Sequence, residues 1–480
     1  MASNVFAREN IRNWTETSRK LYLFRRGLEE MQKISETSIT DERGYQWVAG
    51  VHGGFGGEPY CQHSNLNFVT WHRPYVLDFE LKLRDQIRKI ASAAEADEWR
   101  LPYWDWAAES VTGLPDSFTV STYVDLETGE TKPNPLLSQP YQLEWDPGLS
   151  DAPSPPPPWP INTYRNPKDI SQLKSLRELV QNALKEPSFT NFSPALEQPH
   201  NRLHVWVMGY MATFRSSFDP IFWVHHANVD RQFWLWQRKF SNSSIPSEVR
   251  DFPCQPFKFK DIKASAFFEV EQLGYTYAES QNVITRSTAI ETMNLRFSAA
   301  RASAIADGIE MPMAGLVSEA EEAVPPVFPQ TLEIKLDPIK NAFERAYLRL
   351  YDLEHTEKTY EIRVFANREG TPDATTPLTD EKHYLGSFVL LGHGNCPGAP
   401  GHCDRMAKTE DSLRQKHHLS PGLALLDVTK GLMHLKENRT STNGDVGVDP
   451  ILLSLVVVDL HNQQVSHKQI QFARLSLSTI

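Results

Sequence analysis

The sequence predicts a multidomain α + β protein, in which a mainly α domain precedes an antiparallel β-sandwich. Apolar residues recur at helical spacing through much of 4–240, whereas after residue 328 short runs alternate between apolar and polar residues. The tryptophans divide the chain in the same way, since all twelve lie at or before Trp236. A chain of 480 residues is long enough for two or three domains. We therefore predict a helical domain over 1–285, a linker over 286–327 and a β-sandwich over 328–480.

The helical domain is predicted from its apolar periodicity. The spacing predicts five helices, over 4–34, 61–94, 168–186, 197–208 and 220–240. Residues 41–58 end in VHGGFGGE, whose glycines predict a loop. The domain is predicted to hold four helices that carry the histidine clusters, which suggests a four-helix bundle with a site in its core.

The second half of the chain has a different pattern. Residues 286–322 are rich in Ala, Ser and Glu and lead into EEAVPPVFP, which predicts a linker. The runs TLEIKLD, YEIRVFANR and ILLSLVVVDL are separated by Gly, Pro and Asn. Such short alternating runs predict the antiparallel β-sandwich.

Composition excludes several partners. The net charge of −11 and the pI of about 5.8 argue against nucleic acid or an anionic membrane surface. No apolar run in the sequence reaches membrane-spanning length. The first residues, MASNVFARENIRNW, contain no signal peptide, which predicts an intracellular chain or a mature form that has lost its leader. Four cysteines are too few for a scaffold built on disulfides.

The stretch 197–230 contains four histidines: His200, His204, His225 and His226. His200 and His204 are four residues apart, so a helix would present both imidazoles on one face to one metal ion. A third histidine from the next helix would complete a three-imidazole site.

A second set of histidines lies upstream, at His52, His63 and His72. His72 follows His63 by nine positions, or two and a half helical turns, which predicts that His63 reaches the site from a loop or from a frayed start of the helix. His52 falls in the glycine-rich segment. No carboxylate lies at ligand-like spacing in either set. Imidazole ligands alone suit copper better than Mg²⁺, Ca²⁺ or Mn²⁺, although zinc is also compatible. Two facing three-imidazole sites suit a pair of copper ions that bind O2.

Two motifs then resemble those of the type-3 dicopper proteins, which are tyrosinases, catechol oxidases and molluscan hemocyanins. The first reads His63-SNLN-Phe68-VT-Trp71-His72-Arg73-PYVLDF-Glu80, and the second reads Asp219-Pro220-Ile221-Phe222-Trp223-VH-His226-ANV-Asp230. LPYWDW at 101–106 and the Tyr275–Tyr277 pair also resemble the family. The resemblance is strong over about 1–280, and the tail is more weakly similar to the β-sandwich of hemocyanins and longer polyphenol oxidases.

The resemblance implies a function and roles for individual residues. It implies two copper ions and the oxidation of phenols by O2, with o-hydroxylation of monophenols, oxidation of o-diphenols to o-quinones and a part in melanin formation. The implied copper ligands are His52, His63 and His72 on copper A and His200, His204 and His226 on copper B, with His225 beside them. The resemblance also implies a thioether from Cys61 to His63, and a water that is held by Glu197 and Asn201 and takes the proton of a monophenol. Because residues 211–217 join the two histidine helices, this loop is predicted to rim the pocket, with Phe214 as its gate.

Three other readings stay open. Catechol oxidase and o-aminophenol oxidase, without efficient monophenol hydroxylation, share the copper ligands, and so does a hemocyanin-like O2-binding protein. If the β-sandwich covers the active site, as in longer relatives, the chain is a latent proenzyme that cleavage in 286–325 activates. In GHGNCPGAPGHC, we favour a Cys396–Cys403 disulfide or two free thiols over a copper-loading site with His393 and His402.

Overall fold

The structure is a computed structural model. It describes residues 4–53, 61–141, 161–213, 215–254, 262–278, 309–312, 332–336, 343–368, 370–379, 382–392, 421–443 and 451–479. We call residues 4–278 the helical part and residues 309–479 the β part. None of the described helices has the length and apolarity needed to cross a membrane.

The helical part contains eight described α-helices. These are α1 Arg19–Thr37, α2 Tyr45–Gly53, α3 Phe68–Ile90, α4 Ala93–Glu98, α5 Ser171–Ala183, α6 Phe189–Val207, α7 Ile221–Gln237 and α8 Ser247–Arg250. In α1 the residues Leu21, Phe24, Leu28 and Met31 recur every three or four positions and are fully buried. This spacing gives the helix one apolar face, which packs into the core.

The prediction of a helix over 4–34 is wrong in its first half. Residues Phe6–Arg8 form strand β1, and the side chain of Asn10 accepts a hydrogen bond from Arg12 N and begins a short 3-10 turn. Such a local side-chain bond competes with the α-helix, which begins only at Arg19. Strand β1 pairs in parallel with β6, Tyr275–Tyr277, so the two ends of the helical part meet.

The loop predicted at the end of 41–58 is also wrong at its first residues, 51–53, which belong to a helix. Residues 45–53 form α2, which carries His52. Tyr45, Val48 and Ala49 lie three to four positions apart and are fully buried, so this stretch has the apolar face of a short helix. The glycines at its end masked that pattern in the sequence.

A buried ion-pair network joins α3 to α7. The Arg8 guanidinium donates to Glu80 on α3 at 2.8 Å and to Asp230 on α7 at 3.0 Å. Arg73 on α3 also pairs with Asp230, whose Oδ2 accepts from the hydroxyl of Tyr277 at 2.6 Å. All the charged side chains are at most 1% exposed. Each buried ion lies beside an opposite charge, and the shared Asp230 ties the two helices together.

Among its described residues, the β part contains two four-stranded sheets and one α-helix. In the first sheet the strands lie in the order β11 (Tyr384–Leu390), β10 (Tyr360–Ala366), β13 (Ile451–Val458) and β8 (Leu332–Leu336). In the second sheet they lie in the order β12 (Gly422–Asp427), β9 (Ala346–Leu353), β14 (Arg474–Thr479) and β7 (Ile309–Pro312). Every described pairing within the two sheets is antiparallel. Buried residues of both sheets share one apolar core, and α9, Thr429–Asn443, packs beside it. Strand β7 lies inside the predicted linker 286–327, so part of that segment belongs to a sheet.

Two short antiparallel pairs complete the described strands. Strand β2, Thr122–Val124, pairs with β3, Thr131–Pro133, and β4, Pro140–Tyr141, pairs with β5, Ile161–Asn162. Both lie in the irregular segment between α4 and α5, where apolar residues do not recur at helical spacing.

Candidate metal centre

The first histidine group consists of His52, His63 and His72. His52 comes from α2, His63 from the loop that precedes α3, and His72 from the second turn of α3. All three are at most 4% exposed, and their ring centroids lie 5.0–5.6 Å apart. One nitrogen of each lies within 4.8 Å of the others, so three separate elements bring their imidazoles to one point.

The second histidine group consists of His200 and His204 on α6 and of His225 and His226 on α7. The four-residue spacing on α6 places two imidazoles on one face, as the sequence predicts. The Nε2 atom of His200 lies 3.0 Å from Nε2 of His204 and 3.2 Å from Nε2 of His226. These three nitrogens therefore converge on one point.

Three of the histidines are oriented through Nδ1. His72 Nδ1 lies 2.7 Å from the carbonyl of Phe68, and His204 Nδ1 lies 2.6 Å from the carbonyl of Met211. His200 Nδ1 lies 2.8 Å from Oδ1 of Asn201. Each acceptor requires a proton on Nδ1, which leaves the lone pair of Nε2 for a metal.

A tight turn places the Met211 carbonyl. Helix α6 ends at Val207, and the next two residues, Met208 and Gly209, have φ values of 60° and 58°. A Cβ at Gly209 would lie 2.0 Å from the carbonyl oxygen of Tyr164, so no other residue fits there without displacement. The turn folds the chain back against α6 and brings Met211 onto His204.

The electrostatics of these nitrogens fit a bound cation. Burial lowers the pKa of His72 to about 3 and that of His204 to about 4, and it lowers the pKa of His200 well below its ordinary value. The rings are therefore neutral, and the Nε2 lone pairs of His200 and His204 point towards each other at 3.0 Å. Nε2 of His72 is buried with no hydrogen-bond partner in the described part of the chain. A metal ion would relieve both arrangements, and a set of nitrogen donors without carboxylates fits copper.

The two groups face each other directly. The rings of His72 and His226 stack at 4.5 Å with an interplanar angle of 20°, and those of His63 and His200 stack at 5.6 Å with an angle of 24°. The arrangement can therefore hold two metal ions side by side.

His225 lies in the same cluster. Its ring stacks on that of His200 at 4.9 Å and lies 5.7 Å from Trp106. One of its nitrogens lies within 4.8 Å of the ligand atoms of the other three histidines. The resemblance implies His226 as the third ligand, and its Nε2 atom lies 3.2 Å from Nε2 of His200.

Glu197 and Asn201 lie beside the histidines of the two groups. They line a cavity of about 10 Å³, the size of one water molecule, together with His63 and with residues 353–356 of the β part. The backbone N–H of Ser64 donates to Glu197 at 2.7 Å. Burial raises the pKa of Glu197 to about 8, so this carboxyl group is mostly protonated at neutral pH.

Cys61 is a buried free thiol, two residues before His63. Burial raises its pKa to about 12, so it is not a thiolate at neutral pH. The predicted gate Phe214 lies outside the described residues, and so do Cys396, Cys403, His393 and His402.

Several groups that orient the site were not assigned roles from the sequence. From the sequence, Arg73 and Asp230 are known only as members of the two motifs, where Arg73 follows His72 and Asp230 lies four positions after His226. The carbonyls of Phe68 and Met211 could not be found this way, because a backbone group has no residue identity. Gln198, which bonds to the β part, gave no sequence signal.

The comparisons agree with this geometry. Residues 42–239, which hold all seven histidines of the two groups, match the family model for the common central domain of tyrosinase. The chain is 30% identical to a tyrosinase of Podospora anserina over 53% of this chain and 58% of that one. It is 29% identical to unit D of a Helix pomatia hemocyanin β-C chain over 47% and 53% of the two chains.

The chain thus spans little more than half the length of these curated relatives. A solved Aspergillus oryzae pro-tyrosinase superimposes with a TM-score of 0.60 at 18% identity, over 99% of this chain and 93% of that one, which shows a shared fold. Residues 42–239 therefore match the common central domain of tyrosinase, and the chain is similar to both tyrosinases and hemocyanins.

Proposed function

We propose that the protein oxidises phenols with O2, by o-hydroxylating monophenols and converting o-diphenols to o-quinones. The observation that carries the proposal is the pair of facing, buried histidine groups with Glu197 beside them. Two copper ions would supply the redox chemistry with O2. The histidines would hold them, and the surrounding protein would exclude water and handle protons.

The proposed ligands follow the nitrogen geometry. His52, His63 and His72 would hold one ion, and His200, His204 and His226 the other, with His225 packed against His200. We also propose that Cys61 forms a thioether with His63. His63 is on a loop, so a covalent link would fix its ring where no helix does.

Glu197 is the proposed base for monophenols. A phenol has a pKa near 10, so it must lose its proton to a base at neutral pH. Glu197 can receive that proton through a water in the small cavity that Asn201 and His63 also line. Since burial raises the pKa of Glu197 to about 8, the ionised fraction, and with it monophenol hydroxylation, should increase with pH up to about 8.

The Glu197→Gln variant tests this role. We expect the rate with a monophenol to fall by about 10²- to 10⁴-fold, the usual contribution of a general base, while the rate with an o-diphenol changes little. The measurement is the ratio of the two rates on copper-loaded protein, with copper content as the control. An unchanged ratio would rule out the role of Glu197.

A hemocyanin-like O2-binding protein is the second candidate, because hemocyanin units match the chain about as well as tyrosinases do. The test is a panel of a monophenol, an o-diphenol and an o-aminophenol on the copper-loaded full chain. Turnover of the first two supports the proposal. Reversible O2 uptake without turnover of any would favour the carrier, and turnover of the diphenol or aminophenol alone would favour the narrower oxidases.

We further propose that α2, α3, α6 and α7 form a four-helix bundle around the copper ions and that the two sheets form a β-sandwich that keeps the chain latent. Support comes from the cavity beside His63, part of whose wall is residues 353–356. Leu423 N also donates to the carbonyl of Ser64 at 2.6 Å.

A variant of the β part tests latency without proteolysis. A Cβ at Gly422 would lie 2.1 Å from the Ser64 carbonyl, so Gly422→Ala should loosen this contact. We expect a higher rate with an o-diphenol from the intact variant than from the unmodified chain. An equal rate would argue against a covering role for this contact.

A further inference from the structure

Strand β11 is an edge strand of the first sheet, and helix α6 covers its free edge. Its only strand neighbour among the described residues is β10. An edge strand has outward N–H and C=O groups on alternate residues that need partners when buried. Ser387 and Val389, two residues apart on β11, are both buried. Their outward backbone groups meet α6 and not another strand.

Three consecutive contacts from α6 satisfy these groups. Gln198 Oε1 accepts from the Val389 N–H at 3.0 Å, and the Asn201 side-chain amide donates to the Val389 carbonyl at 2.8 Å. Arg202 donates to the Ser387 carbonyl at 2.7 Å. We call these the α6–β11 contacts. They place polar side chains of the helical part where a further strand would otherwise pair.

Asn201 differs from the other two residues because both ends of its amide are engaged. Its Oδ1 accepts from Nδ1 of His200 at 2.8 Å while its Nδ2 donates to Val389. The Val389 carbonyl can only accept, so the orientation of the amide is determined by its partners. One rigid planar group therefore joins a backbone group of the β part to a proposed copper ligand.

We propose that Asn201 is a positioning residue that couples docking of strand β11 to the copper affinity of the second histidine group. The bond to Val389 holds the amide plane, and the amide holds the His200 ring with Nε2 towards the metal. When β11 separates from α6, the amide is free to rotate and His200 loses its fixed acceptor. The inference rests on the proposed dicopper function and adds to it a link between the β part and one of the two ions.

The test is a double-mutant cycle on the intact chain. Gln198→Leu with Arg202→Met removes two of the α6–β11 contacts and leaves Asn201 in place. Asn201→Asp keeps an acceptor for His200 but cannot donate to Val389. The readout is the equilibrium affinity for each of the two copper ions in competition with a chelator, which does not depend on access to the site. Hydrogen exchange at 384–390 reports whether β11 has loosened.

In the unmodified background, Gln198→Leu/Arg202→Met is expected to weaken the binding of one copper ion about tenfold, as losses around metal ligands do. In the Asn201→Asp background the same pair should change neither affinity, because the link is already broken. Copper binding should in turn slow hydrogen exchange at Val389 in the unmodified chain and not in Asn201→Asp, since coupling is reciprocal.

Equal effects of the undocking pair in both backgrounds would overturn the coupling. If Asn201→Asp does not fold, Asn201→Ala replaces it, with the same expectation for the cycle. Arg349→Met is the matched control, because it removes a bond between the β part and Asn191 of α6, and Asn191 is not bonded to any of the histidines. The copper affinities could show the expected coupling in a protein that oxidises no phenol. That result would support the coupling and contradict the proposed function.

Discussion

The two histidine groups reach the same kind of site by different means. The first group takes one imidazole from a helix, one from a loop and one from a second helix. Of these three, His72 bonds through Nδ1 to the Phe68 carbonyl. The second takes its converging imidazoles from two helices, and separate acceptors hold His200 and His204. A helix fixes the direction of its side chains, whereas a loop must be fixed by something else. The first group therefore depends more on its surroundings than the second.

The difference also concerns the β part. In the second group, Asn201 connects His200 to Val389. In the first group, the contact with the β part is at Ser64, one residue after His63. Each group thus has one histidine that is next in sequence to a residue bonded to the β part.

The largest expected effect is the loss of a ligand. His226→Ala should leave one copper ion per chain and lower diphenol oxidation to background, because the Nε2 atom that meets His200 is gone. His225→Leu is the control and should retain two ions. Copper content by atomic absorption measures both. If His226→Ala retained two ions and His225→Leu lost one, His225 and not His226 would be the third ligand.

Next is the ion pair that holds the groups together. Asp230→Asn takes from the buried Arg73 the carboxylate with which it pairs and leaves Arg8 with Glu80 alone. This should lower the free energy of unfolding by about 3–5 kcal/mol. Urea unfolding checks this. The matched control is Asp251→Asn, which breaks an exposed pair with Lys263 and should cost less than about 1 kcal/mol. Similar losses for the two variants would contradict the assignment of a special role to the buried network.

A third experiment concerns only the first group. If a thioether holds His63, then Cys61→Ala should weaken binding of one copper ion by about ten- to a hundredfold. The intact mass of the unmodified chain should be lower than calculated by two hydrogen atoms. Cys254→Ala is the control, since Cys254 is also a buried free thiol but belongs to neither group. A mass that matches the sequence would exclude the link.

The smallest effect is on the pH dependence of the copper-free protein. The pKa of His72 is lowered to about 3 and that of His204 to about 4, so the fold keeps both neutral while the unfolded chain protonates them below about 6.5. Stability is therefore complete above that pH and is lost as the pH falls, by about 1.4 kcal/mol per pH unit for each histidine. Urea unfolding between pH 7 and 5 measures the slope, and His72→Gln should reduce it. An identical slope in that variant would contradict the assignment.

Much of the centre follows from the sequence because its information is local. The spacing of His200 and His204 needs only the geometry of one helix, and the structure has that helix. The start of α1 did not follow, because a bond from Asn10 and pairing with a strand more than 260 residues away determine the conformation at the first residues. The contact between Asn201 and Val389 joins residues 188 positions apart. No local pattern encodes it.

The parallel pairing of β1 with β6 has a consequence for engineering. Phe6 lies opposite Tyr275, so the first and last described strands of the helical part are neighbours. A short peptide could join these ends, and the chain could then begin at a new position elsewhere. Circular permutation of the helical part at the turn between β2 and β3, around Gly129, would keep the ion pair between Arg8 and Asp230. In the permuted chain, however, the ribosome would synthesise the second histidine group before the first.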